Sequence, residues 1–297
     1  MMGFLKSLFG SQEVTPEEKK AVEEQRTFDS LKYEGIRAMR AGQIQLAIDC
    51  FQNALKLKED LEIRDHLSVV LARNDEMSAA YRQLEILAEA VPDNAAVHIR
   101  MARLAYMAED YERIKEACQK VLAIDENNAE AYYFYAQAHI GTGHPEEAIT
   151  LLAKAIDAEP QYGEAYLLRG ETLLKMRMLE EAAKDADYLL EHGSENEDVL
   201  LLKARIEKLN NRNEEAISYY GKAIDVNPFC MAAYWERGAT KKETGDKIGA
   251  EEDMQHANEL AEEMNKDATL SPTPEGIEQK VKQRYKDMDP YGVFSNN

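Results

Sequence analysis

The residues able to do covalent or metal chemistry are sparse in this 297-residue chain, and their spacing does not suit it. His139 and His144 stand five apart, whereas two imidazoles on one helical face need three or four, so no metal site is expected there. The remaining four histidines are scattered and read as surface or packing residues. Gly141-Thr142-Gly143 has the small residues of a phosphate-binding loop, but no GxxxxGK followed by serine or threonine occurs, and turn chemistry explains the segment. HExxH, GxSxG and the calcium-loop pattern are also absent. Cys50, Cys118 and Cys230 are far apart and form no CxxC pair, which predicts a reducing compartment, with Cys118 acting as a small hydrophobe in a helix core. These features predict a protein that is not an enzyme and needs neither cofactor nor metal.

Binding is the alternative, and composition narrows it. Fifty-six acidic against 36 basic residues give a net charge of −20, which repels nucleic-acid phosphates and, away from a local basic patch, anionic lipid headgroups. With 44% hydrophobic residues the chain can build a core, yet no apolar run approaches the ~20 residues that span a bilayer. No secretory signal pattern opens the sequence, and a cytoplasmic location is expected. Phe4, Leu5, Leu8 and Phe9 with Lys6 could form a short amphipathic membrane-surface anchor, and Gly3 to Ser7 has myristoylation spacing if Met2 is the start. Packing of this stretch against the adjoining part of the chain is the simpler expectation.

A period of 34 organises most of the chain. Pro92, Pro160 and Pro228 are each 68 apart, and small residues recur every 34 at Ser68, Ala102, Ala136, Gly170, Ala204 and Gly238. Twelve residues beyond each stand Ala80, Ile114, Ala148, Ala182, Ala216 and Ala250, and a 33-residue step back adds Gly35 and Ala47. Seven units result: 28–60, 61–94, 95–128, 129–162, 163–196, 197–230 and 231–264. Apolar residues within a unit have helical spacing, as in Tyr132, Tyr135, Ala136 and His139, then Ala148, Leu152 and Ala155. Gly42, Gly143 and Gly245 mark turns between two such stretches, and the prolines end the second. Each unit is therefore predicted to be a helical hairpin, with small residues where the two helices cross closely. One hairpin cannot bury its apolar face alone, so neighbours must stack.

The unit resembles the tetratricopeptide repeat, whose pattern is W-x2-L-G-x2-Y, then A-x3-F, then P. The fourth unit answers with Tyr132, Tyr135, Ala136, His139, Ala148, Leu152 and Pro160, and the seventh with Tyr234, Gly238 and Ala250. Arg64 in the second unit and Glu207 in the sixth depart from it. The resemblance covers 28–264 and implies an all-α, right-handed superhelical solenoid that binds partner segments on the concave face lined by the first helix of each unit. Carrying the inward register over gives a ladder at Ile99, Tyr133, Leu167, Leu201 and Trp235. Arg103, Gln137, Glu171 and Arg205 lie one turn on, with Tyr106, Ile140, Leu174 and Lys208 beyond. An apolar floor with interspersed arginines implies a peptide or helix with hydrophobic and acidic side chains. The chaperone-tail clamp of one subtype is not expected, because Lys32, Ile36, His66, Ala96 and Arg100 match only two of its five residues. Asp29, Glu62, Glu130, Glu164 and Asp198 begin the first helices and read as partners of the helix dipole.

Two flanks remain. Residues 1–27 are expected to hold the amphipathic stretch and a capping helix, and 265–297 a C-terminal capping helix and tail. Ser271-Pro272-Thr273-Pro274 reads as a break, followed by the stripe Ile277, Val281, Tyr285 and Met288. The tail Asp289-Pro290-Tyr291-Gly292-Val293-Phe294 could instead dock in the chain's own groove. The sequence thus predicts a non-enzymatic adaptor for a protein or peptide partner, the alternative being a peripheral membrane assembly factor held by residues 1–12.

Overall fold

A computed structural model describes residues 15–193 and 196–269, with side chains through Glu262, and contains fourteen α-helices and no strand among the described residues. They belong to two compact units, one ending at Asp93 and the other beginning at Asn94. The first holds α1 (Pro16–Arg40), α2 (Ile44–Leu57), α3 (Leu61–Arg73) and α4 (Met77–Ala90). The second holds α5 (Ala95–Met107), α6 (Tyr111–Ile124), α7 (Ala129–Gly141), α8 (Pro145–Ala158) and α9 (Gly163–Lys175). It continues through α10 (Leu179–Glu191), α11 (Glu197–Leu209), α12 (Asn213–Val226), α13 (Met231–Thr244) and α14 (Lys247–Thr269).

Local signals explain the helix starts. Thr15 and Glu18 form a reciprocal capping box at α1, and Asp60, Asn94, Asp110, Asn128 and Asn196 each accept a backbone N–H from the first turn they precede. Pro145 opens α8, where its missing donor and fixed φ suit the first turn. Pro92, Pro160 and Pro228 each lie two residues past a second helix, α4, α8 and α12.

The turn inside every hairpin is the same. Gly42, Asp75, Glu109, Gly143, Arg177, Asn211 and Gly245 all have positive φ, between 55° and 94°, at the position where the chain reverses. Only three are glycine, so the sequence flags three of these turns and hides four.

The crossings use the small residues. Ala47, Ala80, Ala102, Ala136, Ala148, Ala182, Ala204 and Ala216 are fully buried, as is Ile114 in the same register. A methyl group on Gly35 would meet the Phe51 ring at 2.5 Å, and one on Gly238 would approach the Ala250 carbonyl oxygen at 3.2 Å. Ala136, Ala148, Leu152 and Ala155 join Tyr162 and Ala165 of the next hairpin in one apolar cluster, so within the second unit the hairpins stack through their cores.

Buried ion pairs add a second set of joints. Arg169 donates to Asp185 at 2.9 and 2.6 Å, tying α9 to α10. Arg237 repeats this with Asp253 at 2.9 and 2.6 Å, and Lys241 reaches the same carboxylate at 2.9 Å. Lys203 sits between them in register but reaches back to Asp187 at 2.5 Å and along its own helix to Glu207 at 3.0 Å. Glu207 in turn holds Arg212 at 2.5 Å, so the departure from tyrosine in the sixth repeat seats a buried carboxylate between two cations.

Two expected boundaries are not helix ends. α1 runs from Pro16 to Arg40 straight through residue 28, because nothing between the Thr15 cap and the Ala41 turn breaks it. α14 likewise continues through residue 264 to Thr269. The expected anchor at 1–12 and the stripe Ile277, Val281, Tyr285 and Met288 lie outside the described residues, as does the tail.

Candidate protein-interaction face

Stacking places first helices against one another: α5 packs on α7 and α9 on α11, and each also packs on the second helix of its own hairpin. The ladder residues lie in this layer, but at unequal depths. Ile99 is buried with Val121 and Ala131, and Leu201 with Leu200, Ala204 and Tyr220, so both belong to the core and present no side chain to a partner. Tyr133 and Leu167 are half-buried. Tyr133 lies 5.7 Å from the Phe134 ring and 5.3 Å from Tyr162, and its hydroxyl accepts from Gln137 Nε2 at 3.1 Å. Tyr106, 41% exposed, leans on Phe134 at 5.7 Å, and Trp235 is 42% exposed. Accessible aromatic surface is thus present on α5, α7 and α13.

The arginines of this layer are already engaged. Arg103 of α5 donates to Glu130 of α7 at 2.5 Å. Arg205 of α11 holds Glu236 of α13 in a bidentate pair at 2.9 and 2.7 Å, and Tyr220 donates to the same carboxylate at 3.0 Å. Lys208 pairs with Glu243. The repeat register singles out the cations but not Glu236, and it gives Glu130 only as a dipole partner. A spacing of 27 or 31 residues, set by hairpin stacking, joins the pairs.

Three carboxylates in the layer have no such partner. Among the described residues no hydrogen bond or ion pair reaches Glu164, Glu171 or Asp198, whereas Glu62, in the same acidic row, holds Lys32 at 2.7 Å. Burial pushes the Glu171 carboxyl above its ordinary range; Lys175 and Arg205 pull it down and Asp198 pushes it up. Burial also raises Asp198, with Glu197 adding to the shift and Arg205 opposing it.

Nucleophiles and metal ligands are not concentrated anywhere comparable. The three cysteines are free and buried, and burial drives the Cys118 thiol up to about 12 and the Cys230 thiol up to about 11, the reverse of activation. His139 and His144 meet edge to face at 6.0 Å, and burial followed by Lys115 holds His139 below the usual imidazole range. Among the described residues no three histidine, cysteine or carboxylate groups are placed to hold a metal, and no helix is long and apolar enough to cross a membrane.

Comparison with known proteins agrees with the repeat reading. Tetratricopeptide-repeat profiles match residues 105–171 and 197–230. DnaJ homolog subfamily C member 3 of Gallus gallus is 24% identical over 221 residues, which is 70% of this chain and 40% of that protein. The chain therefore spans well under half the length of this relative. A tetratricopeptide repeat protein from Parabacteroides merdae superposes with a TM-score of 0.64 at 13% identity, covering 87% of this chain and 98% of the other. YrrB, described as a TPR protein with an unusual peptide-binding site, gives a TM-score of 0.51 at 18% identity over 69% of this chain and 97% of its own. At these identities the structural likenesses establish the fold, an all-α repeat of helical hairpins.

Proposed function

Because this chain belongs to the tetratricopeptide-repeat family, we propose that it is a non-enzymatic adaptor that holds a segment of another protein on the layer formed by α5, α7, α9, α11 and α13. The observation that carries the reading is aromatic surface held open on a rigid frame. Trp235, the only tryptophan of the chain, is 42% exposed on a helix that packs against α12 and α14. Tyr133 and Leu167 continue the layer, and Gln137 fixes the Tyr133 hydroxyl. Aromatic side chains on a preorganised surface bury much area at small entropic cost, which is how binding hot spots are built. The peptide-binding description of YrrB supports the same role for this chain, and the raised thiols offer no competing chemistry. Ile99 and Leu201 support the layer from beneath; Arg103 and Arg205 order its charges.

The test is site-specific cross-linking in native cells. A photoreactive phenylalanine analogue replaces Tyr133, Trp235 or, as a control, exposed Glu147 on α8. Discrete adducts from positions 133 and 235, absent from 147 and weakened by Trp235→Ala with Tyr133→Ala in a helical protein, are expected. Adducts confined to position 147, or none from the first-helix layer, would move the binding surface elsewhere.

A further inference from the structure

We infer that the bound segment is basic: an arginine or lysine of the partner enters between Glu171 of α9 and Asp198 of α11 while an apolar neighbour covers Trp235. The inference rests on the first-helix layer being the binding surface and specifies the chemistry of what binds there.

The repeat itself supplies the argument. Arg103 and Glu130, 27 residues apart, bridge consecutive first helices as a cation and a carboxylate at 2.5 Å. Thirty-four residues on, the same two positions hold Gln137 and Glu164, and after another 34 they hold Glu171 and Asp198. Gln137 is turned to Tyr133 instead. A further step gives Arg205 and Ala232, and Arg205 finds its carboxylate at Glu236. The chain thus provides its own cation at the first of these slots and satisfies its own cation at the last. In the third slot an acid stands where the first has its arginine.

Helix dipoles explain only part of this. Glu164 and Asp198 occupy first turns, where negative charge is favoured. Glu171 is the ninth residue of the thirteen in α9, beyond reach of that effect. It is half-buried with no hydrogen bond or ion pair among the described residues, although Lys175 and Arg205 lie near enough to favour its charge. Holding a carboxylate there beside Asp198 is unfavourable in the free protein, and a partner's cation would relieve it. An acidic segment would instead have to displace Glu130 or Glu236 from guanidinium groups they already occupy.

Two fluorescein-labelled peptides test the inference on the full chain, one alternating leucine with arginine and the other leucine with glutamate. Anisotropy reports binding, and Trp235 emission reports whether the layer is covered. The arginine peptide is expected to bind and shift Trp235 emission. Glu171→Gln with Asp198→Asn weakens it about tenfold, about 1.4 kcal/mol. Glu146→Gln with Glu147→Gln, which removes the same charge from α8, leaves affinity within about twofold of wild type. Glu171→Arg writes the Arg103–Glu130 pairing into this slot, so it should raise the melting temperature and abolish binding.

Equal losses in the two neutralised variants would mean general attraction to an acidic protein, and would overturn the inference. Preference for the glutamate peptide with a Trp235 response would overturn it while keeping the layer as the binding surface. Silence of Trp235 with both peptides would also overturn it, leaving the cross-linking experiment to decide the surface independently.

Discussion

The hairpins α7/α8 and α9/α10 have the same backbone in register and different means of holding it. Both cross through buried small residues, Ala136 with Ala148 and Gly170 with Ala182. Both reverse through a positive φ, 80° at Gly143 and 64° at Arg177. Beside the crossing, Tyr135 and Leu151 of the first become Arg169 and Asp185 of the second. The tyrosine accepts from Gln119 at 3.0 Å, whereas the arginine grips its aspartate with two bonds. On the open layer Gln137 becomes Glu171. The crossing dictates the backbone, and the positions around it tolerate apolar, polar or ionic filling so long as each is internally satisfied.

The largest effect should come from breaking the ionic filling. Asp185→Ala leaves the Arg169 guanidinium beside a vacated, buried site, and a loss of about 3 kcal/mol is expected from the urea midpoint. Installing the first hairpin's own residues, Arg169→Tyr with Asp185→Leu, should restore most of that stability, since an apolar filling leaves no unpaired charge. A double variant as unstable as the single would show that the hairpins are not interchangeable.

Overfilling the crossing comes next. Ala148→Phe, at a fully buried position facing α7, should cost about 1–3 kcal/mol, and Ala182→Phe a similar amount in α10. Unchanged thermal melts would remove the crossing from its governing role.

Legibility in the sequence divides along the same line. The crossings were visible because small size at a fixed period has one physical meaning. Arg169, Lys203 and Arg237 also recur every 34, but a basic residue on a helix reads as solvated until its carboxylate is located sixteen residues away on an adjoining helix. Spacing likewise cannot give depth: Ile99, Leu201 and Trp235 share one register, yet the first two are covered by neighbouring helices and the third is open. The reversals at Glu109 and Arg177 were hidden because neither residue type signals a left-handed turn. The arginines suggested an acidic partner only while Glu130 and Glu236 were not known to hold them.

The turns permit a gain rather than a loss. Arg177→Gly gives the second hairpin the first one's residue and relieves about 1–2 kcal/mol of left-handed strain. The freer unfolded chain returns about 0.4–1 kcal/mol of it. A net stabilisation of about 0.5–1 kcal/mol is expected in denaturant melts. A loss would mean that the Arg177 side chain does more for the second hairpin than its backbone strain takes away.

The smallest effect, exchanging Glu171 for the glutamine of the first hairpin, is separable by its sign. Glu171 has a folded pKa above its ordinary 4.5, so the folded state takes up a proton more readily than the unfolded one. Wild type therefore gains stability from this site as pH falls from neutral through the raised value, and the gain is complete below the ordinary value. Asp253 works the other way. Burial alone would raise it, but hydrogen bonds from Arg237 and Lys241 hold it below 3.8, so its contribution is present above that value and disappears only in stronger acid. The two windows do not overlap. The melting-temperature advantage of Glu171→Gln over wild type should be greatest at neutral pH and shrink on acidification before Asp253 begins to titrate. A difference constant with pH would show that Glu171 is not held at a cost in the free protein, and would remove the asymmetry between the layers of the two hairpins.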